Sequence, residues 1–354
     1  MAKTKAARVW RGICLAVSIA IAVSAAADNG PLHKQSSALF GTSGGNINDI
    51  STLYCCSGTL GSLVQAGGKK YILSNNHVLA RSNSAAIGEQ ISQPGLIDNG
   101  CRIPHIVGQL SAFPSLSSNV DAAVALNSGM ASTGEVMDIG IISAEPLAAS
   151  VGLEVQKSGR TTGRTTGNVS SVNTNVMVNY QPTCGMGKKF KVTFRNQVVV
   201  SGASFSAGGD SGSLIVSRPA TGSPRPVALL FAGSSTTTVG NPIGDVLNRL
   251  SAELGSTVAF VGSGPTGAGQ ITGGATSSLT PQSVQQAHGA KERWADAWMN
   301  RPGVLGVGVG LSDDRSEAAV IVYVENSSAA RPNLPERADG ARVRIVFTDP
   351  FVSR

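Results

Sequence analysis

The chain has 354 residues, of which 41% are hydrophobic, 14% charged and 5% aromatic, with 43 glycines and 16 prolines. That length suggests two or three domains with ordinary apolar cores, and the composition excludes collagen, coiled coil and intrinsic disorder. The formal net charge of +7 loses its weight as a nucleic-acid signature once it is located, because Lys3, Lys5, Arg8 and Arg11 all precede Gly12.

An apolar run from Gly12 to Val23 follows those four charges, then the small residues Ser24 to Ala27 before Asp28. A basic start, an apolar stretch too short to span a bilayer and an A-x-A pattern read as a secretory signal over residues 1–27. The mature chain is therefore expected to be exported, secreted or periplasmic. It would carry 24 basic and 21 acidic groups, or +3, so neither a nucleic-acid partner nor stable membrane insertion is expected. Of the five cysteines, Cys14 leaves with the signal, and Cys55, Cys56, Cys101 and Cys184 remain. Four cysteines in an exported chain favour disulfides. Geometry disfavours a bridge between the adjacent pair, and a long-range bridge from Cys55 or Cys56 to Cys101 is expected. A zinc site would need clustered spacing such as C-x-x-C, which is missing.

Short apolar runs then recur between turn residues: Leu60 to Val64, Tyr71 to Leu73, Val124 to Leu126, Val151 to Val155, Val176 to Tyr180, Val192 to Val200, Leu214 to Val216 and Val227 to Ala232. Such spacing predicts an all-β sandwich or a pair of barrels. Near residue 262 the composition shifts. A Gly/Ser/Thr stretch over 263–280 reads as a flexible linker. Beyond it, Thr280 and Pro281 start a helix with Val284, Ala287, Lys291, Trp294 and Trp298 on one face, ended by Asn300 to Gly303. Strands follow at Val304 to Leu311, Ala318 to Val324 and Val343 to Phe347, giving a small α+β unit over 281–354. In the first of them valine alternates with Gly306, Gly308 and Gly310, a bare face expected to admit a closely packed helix. Trp294 and Trp298 suit a core better than a peptide-binding platform at this spacing.

Chemistry is concentrated in three segments, KKYILSNNHVL with His77, NVDAAVAL with Asp121, and SAGGDSGSL with Ser211. Acyl transfer by a serine needs a base for the hydroxyl proton, a carboxylate to orient that base and backbone N–H groups for the oxyanion. Each residue alone has a bland reading as a turn former or surface group. The order His, Asp, Ser, with gaps of 44 and 90 residues and with Gly209 and Gly212 flanking the serine, favours their acting together.

LSNNHV, VDAAVAL, GGDSGSL and SGRTTG at Ser158 to Gly163 resemble the trypsin-like serine peptidases, and SGRTTG is similar to the bacterial branch with streptogrisins and alpha-lytic protease. The resemblance covers roughly residues 38–255. It implies two antiparallel β-barrels, about 38–145 and 146–255, within a peptidase domain over 28–262. It also implies His77 as general base and acid, Asp121 as its orienter, Ser211 as nucleophile, and the amides of Gly209 and Ser211 as oxyanion hole. A protein or peptide substrate is implied, and no cofactor or metal. The specificity walls match Ser204 to Ala207 and Ala232 to Ser234, with Phe205, Ala232, Gly233 and Ser234 as substrate-binding residues. Neither wall is charged, so cleavage after small or medium apolar residues is expected. Two departures stand out: the family's usual cysteine pairs are missing, and Ala232 stands where a serine commonly supports the triad aspartate.

An α/β-hydrolase would need a G-x-S-x-G elbow and the order Ser, Asp, His, and Gly209 to Ser213 lacks the second glycine. The stronger alternative is a weak or inactive peptidase fold kept as a binding module, with the C-terminal unit recruiting a partner. Oligomeric state is not legible.

Overall fold

A computed structural model describes residues 32–182, 184–264, 279–327 and 332–353. The expected signal and most of the expected linker lie outside the described residues. Among those described, no helix is long and apolar enough to cross a membrane.

The first barrel is a curled sheet. It contains β1 (Thr42–Asn46), β2 (Gly58–Leu60), β3 (Ser62–Ala66), β4 (Lys69–Ser74), β5 (Gln90–Gln93), β6 (His105–Ala112) and β7 (Ala123–Asn127). The one-turn helix α1 (Asn76–Leu79) sits directly after β4. Both faces of these strands are covered, so that Leu63, Ile72, Leu73, Leu110 and Val124, the adjacent Ile72 and Leu73 included, belong to one buried cluster, each at most 1% exposed. Burying an aliphatic side chain of this size stabilises by roughly 1.5–3 kcal/mol.

The second barrel comprises β8 (Glu154–Gly159), β9 (Gly163–Tyr180), β10 (Phe190–Ser201), β11 (Leu214–Ser217), β12 (Pro226–Gly233) and β13 (Thr237–Pro242). Its strands run β10-β13-β12-β11-β8-β9, and β9 pairs β10 to close the ring. All eight residues of β12 are buried, which is why the run Val227 to Ala232 is apolar without alternation. After β13 the chain returns to the first barrel. The amphipathic helix α2 (Ile243–Leu254) buries Ile243, Val246 and Leu250 in that core, and β14 (Ala259–Phe260) pairs β3. The fold is thus the two-barrel, trypsin-like one.

The C-terminal elements are α3 (Pro281–Met299), β15 (Val304–Leu311), β16 (Ala318–Glu325), β17 (Arg337–Ala338), β18 (Ala341–Thr348) and β19 (Phe351–Ser353). Thr280 caps α3, its hydroxyl accepting the Ser283 N–H. Trp298 is 1% exposed in the core beneath α3, while Trp294 is partly exposed and donates its indole N–H to Asp339 at 3.1 Å. These elements share a sheet with the second barrel. β15 pairs β9 in antiparallel fashion, and β16, β18 and β17 extend the sheet from there.

The alternation in β15 has a different purpose from the one expected of it. Helix α3 packs on the branched face, where Val304, Val307 and Val309 meet Ala287, Ala290 and Trp298. The glycines face β9 instead: a Cβ on Gly308 would lie 2.2 Å from Thr174 Oγ1, and one on Gly310 would lie 2.5 Å from the Ser170 carbonyl oxygen. Close approach is required, but between strands.

Two disulfides tie the first barrel. Cys55–Cys101 is the bridge expected from the sequence, and Cys56–Cys184 links the first barrel to the β9–β10 hairpin of the second. Their sequence separations are 46 and 128 residues. Closing such loops stabilises by about 4 and about 5 kcal/mol in the chain-entropy treatment. The Cys56→Ser/Cys184→Ser double variant should therefore lose more stability than Cys55→Ser/Cys101→Ser, as read from urea unfolding free energies with the slope fitted separately for each variant.

Candidate active site

His77 lies in α1, which starts right after the extended residue Asn75 that follows β4. The Asn75 side chain donates to the Asp121 carbonyl at 2.7 Å, and Asn76 donates to the Pro114 carbonyl at 2.8 Å and to Asn83 at 2.7 Å. The two asparagines of LSNNHV thus clamp α1 to the loop before β7. That places His77 Nδ1 2.6 Å from Asp121 Oδ2, while the His77 backbone N–H donates to Oδ1 at 3.1 Å.

Asp121 has no exposed surface, and a buried carboxylate needs donors. The Tyr180 hydroxyl supplies a further one, donating to Oδ2 at 2.8 Å. Burial and the adjacent Asp121 carboxylate push the Tyr180 phenol well above its usual range, so it keeps its proton and remains a donor. Asn241 accepts the Asp121 backbone N–H at 2.9 Å and donates to Gln197 at 2.6 Å. Support that was missed at Ala232 therefore comes from the far end of β9. In the sequence only its place at the end of the run Val176 to Tyr180 marks Tyr180.

Ser211 lies between β10 and β11 and is fully buried, its Oγ donating to the Phe231 carbonyl at 3.4 Å. The barrels meet here. The Ser211 carbonyl accepts the Thr59 N–H at 2.7 Å, and the Thr59 hydroxyl donates to the Gly209 carbonyl at 2.9 Å. A Cβ on Gly58 would lie 2.6 Å from Val78 and 2.9 Å from the Ser211 carbonyl oxygen, so α1 and the serine loop approach each other across that glycine. Gly212 has φ +92° and no room for a side chain, with Thr59 O and Ser74 Oγ at 2.2 and 2.1 Å from a Cβ. Only glycine meets both demands.

The serine loop is held by Asp210. Its carboxylate accepts the N–H groups of Thr161, Thr162 and Ala207 at 2.8, 3.2 and 2.9 Å, and the Thr162 hydroxyl at 2.7 Å. Lys157 Nζ lies 3.4 Å away, and neither side chain is exposed. Burial pulls the Lys157 ammonium down while Asp210 opposes that pull. This explains SGRTTG at Ser158 to Gly163, whose backbone N–H groups serve the carboxylate beside Ser211. Arg160 of the same turn reaches back to Asp98 of the first barrel with two 2.6 Å contacts.

His77 and Gly209 line one cleft of about 230 Å³ with Asp49, Ser57, Arg81 and Ser353. The candidate specificity residues are closed instead. Phe205 is 1% exposed and packs with Val169, Val200 and Leu230, and Ala232, Gly233 and Ser234 are buried. Two hydroxyl pairs lie beside them, Ser206 with Thr238 at 2.6 Å and Ser234 with Thr237 at 2.8 Å.

Tyr180→Phe should cost roughly 1.5–3 kcal/mol in denaturant unfolding, because a charged acceptor loses a buried donor. Burial also pushes the Asp49 carboxyl up to about 6, against the opposing pull of His77 and Arg81. Between about pH 4 and 6 the folded chain then holds a proton that the unfolded chain releases, so this group lowers stability as pH rises through that window. Relative to the parent, Asp49→Asn should gain melting temperature at pH 7 over pH 4.

The family model described as the Nal1 C-terminal domain matches residues 107–241. No curated protein matches the chain. Among solved structures, a glutamic acid specific serine protease is 24% identical at a TM-score of 0.42, covering 62% of this chain and 99% of its own. Thermobifida fusca protease A is 17% identical at 0.39, covering 63% and 98%. Alpha-lytic protease homolog N4 is 22% identical at 0.38, covering 57% and 92%. Over these spans the chain is similar to bacterial trypsin-like serine proteases.

Proposed function

We propose that the chain is an exported serine endopeptidase that hydrolyses peptide bonds through an acyl-enzyme on Ser211. His77 takes the Ser211 proton and returns it to the leaving amine. Asp121 holds the imidazole in the required tautomer and stabilises the cation that forms. The amides of Gly209 and Ser211 receive the oxyanion. The observation that carries this reading is the 2.6 Å contact of His77 Nδ1 with a fully buried carboxylate, the contact that orients an imidazole for general-base work. Phe205, Ala232, Gly233 and Ser234 are closed in this structure, and the reading of small or medium apolar residues before the cut rests on the lack of charge along Ser204 to Ala207 and Ala232 to Ser234.

One observation favours the second reading, a peptidase fold serving as a binding module: the Ser211 hydroxyl is buried and turned to the Phe231 carbonyl. A small fluorophosphonate separates the two. Labelling of the parent chain and none of Ser211→Ala supports the peptidase; an unlabelled parent supports the binding module. For the peptidase, His77→Ala and Asp121→Asn should each lower peptide turnover on the order of 10⁴-fold. A peptide-library profile dominated by Arg, Lys, Asp or Glu before the cut would overturn the specificity.

A further inference from the structure

β12 changes neighbours where it passes the serine. Its pairing with β11 ends at Leu214↔Leu229, because the chain of β11 turns away into the Ser211 loop. One edge of β12 is thereby released at Ala232 and Gly233, next to Phe231, whose carbonyl accepts from Ser211 Oγ. A strand edge released beside a nucleophile is a seat for an extended peptide, because main-chain hydrogen bonds hold the peptide in register with the reacting group.

In this chain the seat is taken. β19 pairs that edge in antiparallel fashion, Ser353 opposite Ala232 and Val352 opposite Gly233. On its other side it pairs β9 in parallel, Phe351 with Val178 and Val352 with Asn179. The direction of β19 carries the backbone toward the reacting groups, and Ser353 lines the same cleft as His77 and Gly209. Phe351 has no exposed surface. It clusters with Val178, Tyr180 and Phe231 and lies 5.8 Å, ring to ring, from Tyr323. Val352, one residue on, is 43% exposed. The anchor before the strand is polar, Thr348 donating to Ser234 at 2.6 Å.

We propose that Phe351–Ser353 is an internal, substrate-like ligand of the candidate active site, which an incoming peptide must displace. The seat selects an extended peptide with an aromatic residue two positions before the one facing Ala232. Three residues, paired at two positions on each side, are few enough to leave. The proposal deepens the peptidase reading and rests on it for the meaning of displacement.

The test uses the full chain carrying Ser211→Ala, so that nothing is turned over, and a fluorophore-tagged pentapeptide Asp-Pro-Phe-Val-Ser as probe. A tethered strand competes at an effective concentration in the millimolar range, so the parent tail should exclude the probe. Phe351→Ala empties the aromatic seat, and Val352→Pro breaks the pairing without removing the aromatic anchor. Each should raise probe affinity at least tenfold by fluorescence anisotropy. Unchanged affinity in folded variants would make β19 a structural strand and overturn the proposal. Unfolding of both variants would overturn it too, since a strand the fold requires cannot be displaced. Fluorophosphonate labelling of the chain with Ser211 intact reports on the peptidase reading separately.

Discussion

A carboxylate without exposed surface, Asp210, organises the second barrel around the serine. A buried charge persists only when its lone pairs are used and a counter-charge is near, and breaking such a pair by removing one partner costs about 3–5 kcal/mol. Here the counter-charge is Lys157, and the donors are three backbone N–H groups and a threonine hydroxyl. Satisfying Asp210 therefore dictates the path of two loops at once, the turn after β8 and the serine loop. Because Arg160 of that turn grips Asp98, the constraint extends into the first barrel.

The seam between the barrels carries directional polar contacts around the candidate site. Thr59 contacts both Ser211 and Gly209 through hydrogen bonds, and Ser74 donates to the Thr59 carbonyl at 2.6 Å. Asp121 faces the second barrel, taking Tyr180 and Asn241 from it. The second barrel supplies every donor that Asp210 uses, but the first barrel alone does not complete the set around Asp121, which takes the Tyr180 hydroxyl from across the seam. Docking and completion of the site are consequently one event in physical terms. Directional bonds fix the relative placement of His77 and Ser211 more tightly than apolar packing would.

The C-terminal layer answers a different need. β9 is 18 residues long, and beyond its pairing with β8 one of its edges would lie open. β15 and β19 cover that edge in turn. An open edge of that length invites association with other chains. The glycines of β15 allow the cover to seat against a β9 that carries Thr174 and Asn175 toward it. Lys291 of α3 adds polar contacts, reaching Asn173 at 2.9 Å and Asn175 at 3.1 Å.

Much of the architecture was legible locally. Period-two and fully apolar runs located the principal strands, and Thr280-Pro281 located the start of α3, because such signals depend on neighbours within a few residues. The segments around His77, Asp121 and Ser211 were legible because each needs unusual local chemistry, glycines at φ +96° and +92° around Ser211 among it. What the sequence could not express were partnerships between distant residues: Tyr180 on Asp121, Lys157 on Asp210, Thr59 on the serine loop, Cys56 with Cys184, and β19 on Ala232. Each is a pairing at long separation. A tyrosine at a strand end or a lysine between Gln156 and Ser158 has no local consequence that betrays its partner, and only the tertiary fold brings the two halves within a hydrogen bond of each other.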